Sequence, residues 1–181
     1  SGTSLDGVDG VLVDFSDGRV QVLGHASAAL PQPLRETFHA LNQPGDNELH
    51  RAALAGNALA EVYGAVVRRL LDESGTPKNR VAAVGAHGQT VRHLPRWDGG
   101  VGYTIQINQA ALLAELCGID VIADFRSRDV AAGGQGAPLV PPFHQAVFGA
   151  AGEARAVLNL GGIANVTLLA AEVDVPLIGF D

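Results

Sequence analysis

Apolar positions along the chain follow two rhythms, one of period two and one of three to four residues. Val11-Leu12-Val13-Asp14-Phe15 is a β-branched and aromatic run, Ser16-Asp17-Gly18 is a turn, and Val20-Gln21-Val22-Leu23 resumes the extended pattern. This predicts a hairpin. Leu34, Phe38 and Leu41 predict one face of a helix over Pro31 to Leu41, with Pro31 and Pro33 at its start, where a missing N–H is tolerated. The strongest helical pattern runs from Asn47 to Glu73. Leu59, Val62, Tyr63, Val66, Val67, Leu70 and Leu71 form its stripe, and Gly75 with Pro77 ends it.

Farther along, Val81 to Gly85 has the length and continuity of a buried strand, followed by an irregular stretch marked by Pro95 and Gly99-Gly100. A strand over Tyr103 to Ile107, a helix over Gln109 to Leu116 and a strand over Asp120 to Phe125 come next. Leu139 to Phe148 is predicted helical beyond Pro142, and Ala156 to Leu160 with Val166 to Leu169 makes a second hairpin around Gly161-Gly162. Strands alternating with helices predict an α/β fold with a mixed sheet flanked by helices. No internal repeat is visible, and Gly149 to Gly152 is the best candidate boundary. The chain opens directly into a polar loop and stops just after the apolar stretch Val175 to Phe180. It is therefore expected to be the front part of a larger protein.

Charged residues are 17% and apolar residues 47% of the 181, so the chain can bury a core and is not a disordered tail. The formal charge of −7 comes with no cluster of basic residues, which argues against a nucleic-acid partner. No apolar run approaches the roughly 18 residues of a membrane span, and no leader pattern is seen, so no membrane partner is expected. Cys117 is the only cysteine. It can form neither an internal disulfide nor a CxxC zinc site, which suits a reducing, cytoplasmic location.

Five loops have the composition for chemistry. In Gly2-Thr3-Ser4-Leu5-Asp6-Gly7 the glycines can present backbone N–H groups to an anion, and Thr3 and Ser4 add hydroxyls. Asp6 or Asp9 could orient a metal ion, although no residue is assigned as a metal ligand; the plainer reading is a solvated turn. Asn159 to Asn165 carries Gly161-Gly162, either a second phosphate grip or a tight hairpin. Neither Walker spacing nor a GxGxxG fingerprint is present: Lys78, the only lysine, lacks a preceding glycine run. Gly85 to Thr90 follows a predicted strand, where α/β proteins usually bind ligands. Gln89 and Thr90 offer neutral donors and acceptors for a sugar, while His87 reads more simply as a structural histidine. Asp124-Phe125-Arg126-Ser127-Arg128-Asp129, followed by Gly133 to Pro138, offers either an arginine fork for a charged ligand or an ion-pair network bracing a long loop. Asp181, after an apolar strand, is the right kind of group for a general base, or else a solvated terminus.

Together these segments resemble the anhydro-N-acetylmuramic acid kinase family. The matching stretches are Ser1 to Gly7, Gly85 to Arg92, Ala111 to Asp120, Ala123 to Pro141, Asn159 to Asn165 and Gly179-Phe180-Asp181. The resemblance implies the ribonuclease H-like, actin-like ATPase fold of sugar kinases, truncated here. Residues 1–150 would form the first domain and 151–181 the opening strands of the second. It implies ATP and Mg2+ as cofactors and an anhydro-sugar as substrate. Water would open the 1,6-anhydro bridge while the freed O6 takes the γ-phosphoryl group, giving N-acetylmuramate 6-phosphate in cell-wall recycling. It places Ser1, Gly2, Thr3, Ser4, Leu5, Asp6, Gly7 and Val8, with Gly161 and Gly162, around the ATP phosphates. Gln89, Thr90 and Arg128 fall in the sugar pocket, and Asp181 is the base.

One departure stands out. Gln106-Ile107-Asn108-Gln109-Ala110 replaces the family's usual Gln-Ile-Gly-Asn-Pro, which puts the local turn in question. Later adenosine-binding segments and a further sugar-binding acid are absent, so the chain alone is expected not to turn over. An unpaired hairpin edge invites association, and a homodimer is among the expected partners. Two rival readings are a non-catalytic sugar- or nucleotide-sensing relative, which needs no base at Asp181, and a glycosidase pairing Asp124 or Asp129 with Asp181.

Overall fold

The computed structural model describes residues 5–160, 164–172, 175 and 177–180. They divide into two units, Ser1–His93 with Thr104–Phe125 and Leu94–Tyr103 with Arg126–Asp181.

In the first unit, β1 (Gly7–Asp14) and β2 (Gln21–Ala29) form the expected hairpin, antiparallel with Gly7 opposite Ala29. At its turn the Ser16 N–H donates to the Asp14 carboxylate at 2.7 Å, which holds that carboxyl below its ordinary value. The helices α1 (Gln32–Leu41) and α2 (Glu48–Ser74) follow, and Leu34, Phe38 and Leu41 of α1 are buried as the spacing predicts. From α2 the stripe Ala55, Leu59, Tyr63, Val66 and Leu70 is buried, with Val62, Val67 and Leu71 packed partly against it. Gly75 takes the left-handed conformation (φ 64°) and donates to Asp72, ending the helix. The hairpin lies close on α2 because Gly10 has no side chain: a Cβ there would stand 2.7 Å from the Val66 Cγ1.

The expected buried strand Val81 to Gly85 is shorter and more exposed than its apolar run suggests. A 3-10 turn at Lys78–Arg80 precedes β3 (Val84–Gly85), which pairs in parallel with β6 (Val121–Ile122). On its other side lies a cavity of about 280 Å³, bounded by Val8 to Leu12 of β1 as well as by β3. The strand β6 stops short of Phe125 because Asp124 turns into the left-handed region (φ 57°). The stretch around Pro95 is not irregular. It lies in β4 (Gln89–Trp97), which forms a two-stranded sheet with β5 (Gly100–Ile107). With a single strand partner, β4 can accommodate a residue lacking an N–H. Gly102 permits the close approach, since a Cβ there would overlap the Leu94 carbonyl. The helix α3 (Ala110–Cys117) starts where expected without its proline, and Asn108 keeps an ordinary negative φ.

The second unit holds the tip of the β4–β5 hairpin, α4 (Ser127–Ala131), α5 (Pro141–Phe148) and a three-stranded antiparallel sheet. Its strands are β7 (Arg155–Asn159), β8 (Asn165–Leu169) and β9 (Ile178–Phe180), in the order β7-β8-β9. The β7–β8 hairpin matches the sequence pattern. The helix α5 begins two residues ahead of expectation, with both prolines in its first turn. The buried His144 Nδ1 and Thr167 Oγ1, 2.8 Å apart, tie α5 to β8. The architecture is α/β, with parallel and antiparallel pairings distributed over four small sheets among the described residues rather than in one mixed sheet. Among those residues no helix is long and apolar enough to cross a membrane.

Leu59 is fully buried on α2, so Leu59→Ala should destabilise the protein by about 2–5 kcal/mol, read from urea denaturation of the full-length form. Burial pushes the Cys117 thiol pKa up. Thiol labelling mapped to Cys117 by mass spectrometry should therefore be at least about tenfold slower in the native protein than in urea.

Candidate functional site

The first loop is described from Leu5 onward; Ser1, Gly2, Thr3 and Ser4 lie outside the described residues. Leu5 is buried at 2% exposure with a left-handed backbone (φ 54°), and Val8 is buried as well. Their side chains belong to the core, so any ligand contact from these two residues falls to backbone groups that the β1–β2 pairing leaves free. The expected loop is also shorter than read, because Gly7 and Val8 already pair with Ala29 and Ala28 in β1. Asp6 is exposed, and Asp9 lies 3.5 Å from His25. Magnesium commonly takes one or two carboxylates and fills its remaining positions with phosphate oxygens and water. Asp6, at the entry to β1, suits that donor set. Among the described residues no group of three His, Cys, Asp or Glu side chains could form an all-protein cage.

Gln89 and Thr90 stand at the start of β4 rather than in a loop. The turn before them is tight: Gly88 has φ 79°, and a Cβ there would meet the Ile107 carbonyl oxygen at 2.6 Å. His87 Nδ1 lies 2.8 Å from the Gly88 carbonyl oxygen, in keeping with a structural histidine. Asn108, where the family pattern has glycine, donates from Nδ2 to the Ala86 carbonyl at 3.0 Å, so the substitution braces this turn. Gln89 is 3% exposed and donates from Nε2 to the Thr90 carbonyl. Arg92, two residues on, donates to the Leu41 carbonyl at the end of α1 and to Glu48 in the first turn of α2, the latter at 2.7 Å. Sequence reading missed Arg92 and Gln106, whose amide reaches the Thr90 hydroxyl. Both lie in segments that carry the family pattern, and for Gln106 its place between Ile105 and Ile107 was the available signal.

In the second unit, the segment read as an alternation of charges contains the short helix α4, with Arg128 exposed on it. Gly136 N–H donates to Asp129 Oδ2 at 2.7 Å, and Arg126 Nη1 donates to the Gly136 carbonyl at 2.5 Å. Asp129 and Arg126 thus brace the glycine loop through hydrogen bonds to its backbone, whereas the expected bracing was a network of ion pairs; Arg128 is not among these bonds. Gly161, Gly162 and Asp181 lie outside the described residues. The strands leading to them, β7 and β9, both pair with β8, and a Cβ at Gly179 would overlap Pro141 of α5.

Alternating helices and strands, with a tight glycine turn ahead of β4, define an α/β protein. The family model for anhydro-N-acetylmuramic acid kinase matches residues 1–181, and the chain belongs to that family. Proteins named anhydro-N-acetylmuramic acid kinase are 64% identical in Variovorax paradoxus (strain S110) over 185 residues, 61% in Cupriavidus metallidurans over 182 and 64% in Bordetella pertussis over 181. Each alignment covers 100% of this chain and 49%, 48% and 46% of the relative, respectively. The chain therefore spans about half the length of the curated relatives it matches.

A Cβ at Gly134 would overlap the Asp129 carboxylate. Gly134→Ala should displace that carboxylate from the Gly136 N–H, at a cost of about 1–3 kcal/mol in local stability. Hydrogen exchange on the full-length protein should show faster exchange over residues 127–136, with the amides of α2 unchanged.

Proposed function

We propose that the protein containing this chain is a kinase that hydrolyses the 1,6-anhydro ring of anhydro-N-acetylmuramic acid and phosphorylates O6 with ATP. The observation that carries the reading is the family match over residues 1–181 together with relatives of that name at 59–64% identity. The architecture proposed with it is the two-domain actin-like ATPase fold, with 1–150 in the first domain and 151–181 opening the second. The location proposed is cytoplasmic.

Asp181 takes a proton from the water that adds to C1. The C1–O6 bond breaks, and O6 becomes the acceptor for the phosphoryl group as ADP leaves. The Ser1 to Val8 segment, through the N–H groups that the β1–β2 pairing leaves free, and Gly161-Gly162 are assigned to the triphosphate, a role that glycine-bearing loops support chemically. Gln89, Thr90 and Arg128 hold the sugar, two by neutral hydrogen bonds and one by charge. Asp6 would hold magnesium, which when bound screens the phosphate charge. This division of labour suits phosphoryl transfer, which depends on positioning and charge stabilisation rather than on a covalent nucleophile.

The full-length protein should consume the anhydro-sugar and ATP together and release ADP and N-acetylmuramate 6-phosphate, followed by coupled ADP assay and mass spectrometry. Asp181→Asn should lower kcat by about 10²–10⁴. Near-normal turnover by that variant would remove Asp181 from the mechanism, and binding of both ligands without ADP release would make the protein a sensor.

A further inference from the structure

The Thr90 hydroxyl lies at one end of a short polar chain on the β4–β5 hairpin. Gln106 Nε2 donates to Thr104 Oγ1 at 2.7 Å and to Thr90 Oγ1 at 3.2 Å. On its far side, Thr104 Oγ1 is 3.0 Å from His93 Nδ1. Thr104 is 8% exposed, while Gln106 and Thr90 are half-buried. An amide nitrogen carries two hydrogens and accepts none. Its two contacts therefore use both hydrogens, and both hydroxyl oxygens act as acceptors toward it. For Thr90 one consequence follows: one of its two lone pairs is engaged, and its own proton cannot point toward Gln106.

The backbone under Thr90 is held by other groups. Asn108 fixes the Ala86 carbonyl, and Arg92 is clamped to Leu41 and Glu48. Rotation of the Thr90 hydroxyl is a freedom that Gln106 narrows. We propose that Gln106 is a positioning residue that biases Thr90 toward donating a hydrogen bond to an acceptor oxygen of the sugar (an ether, an acetamido carbonyl or a carboxylate). The inference rests on the reading of Thr90 as a sugar-pocket residue.

The test uses steady-state kinetics of the full-length protein with the anhydro-sugar and Mg-ATP. Thr90→Val and Gln106→Glu should each raise the sugar KM about tenfold, the effect of losing or reversing one hydrogen bond, with the ATP KM and Tm unchanged. Glu accepts where Gln donates, so the Thr90 proton would turn toward it and away from the ligand. The double variant Thr90→Val/Gln106→Glu should be no worse than Thr90→Val alone. Gln106→Leu, which removes the donor without adding a charge, should raise the sugar KM about threefold and serves if the carboxylate variant does not fold. A wild-type sugar KM in the Gln106 variants beside a raised one in Thr90→Val would overturn the inference while leaving Thr90 in the pocket. Additive effects in the double variant, or equal losses for both substrates with a lowered Tm, would reduce Gln106 to a structural role. A normal sugar KM in Thr90→Val would remove Thr90 from the pocket and the inference with it.

Discussion

Removal of the α2 stripe from water is the constraint on which the first unit depends. The hairpin strands β1 and β2 and the helices α1 and α3 all contact α2, a 27-residue helix roughly 40 Å long at 1.5 Å per residue. Each large apolar side chain buried there is worth about 1.5–3 kcal/mol, and the stripe alternates large residues with small ones. Where it is small, backbone comes in close: a Cβ at Gly56 would stand 3.5 Å from the Asn108 carbonyl. The position of Asn108, and hence the brace it gives to Ala86 ahead of Gln89, is thus set by the packing of a helix far away in sequence.

That dependence explains which parts of the fold could be read from the chain. The α2 stripe, α1 and both hairpins announce themselves through local periodicity, and the structure has them where the pattern puts them. Elements whose form depends on a distant partner were less legible. Val81 to Gly85 has the apolar continuity of a buried strand, yet only Val84 and Gly85 pair, with β6 on one side and a cavity on the other. Pro95 and Gly99-Gly100 look like interruptions. They sit instead at an edge and a turn of the β4–β5 hairpin, where Gly102 makes room for the opposing backbone. The alternation of charge over Asp124 to Asp129 hides α4, because a one-turn helix is too short to show a period.

The candidate site divides along the same line. Residue types suited to a polar ligand (Gln89, Thr90, Arg128 and the glycines of the first loop) are visible from composition and order alone. What they touch is not. The bracing of the Gly133 to Gly136 loop by Asp129 and Arg126 needs the fold of that loop, and the contact from Gln106 to Thr90 depends on the side-chain packing of two paired strands. Leu5 and Val8 show the reverse case: two residues in a polar loop turn out to have buried side chains, so only their backbone remains for chemistry.

A neutral polar chain such as Thr90–Gln106–Thr104 also fits the demands of the proposed reaction better than a charged one would. In the proposed reaction charge develops on the transferring phosphoryl group and on the departing O6, and a further fixed charge on the sugar side would favour some sugar protonation states over others whether or not the reaction needed it. Hydroxyls and an amide supply direction without net charge. Their weakness is rotational freedom: a threonine hydroxyl can present either a proton or a lone pair. An amide nitrogen, being unable to accept, occupies one of the two lone pairs and tilts that choice toward the proton. Specificity for an acceptor oxygen then arises from the loss of one torsional choice, at a position whose backbone is already held by Asn108 and Arg92.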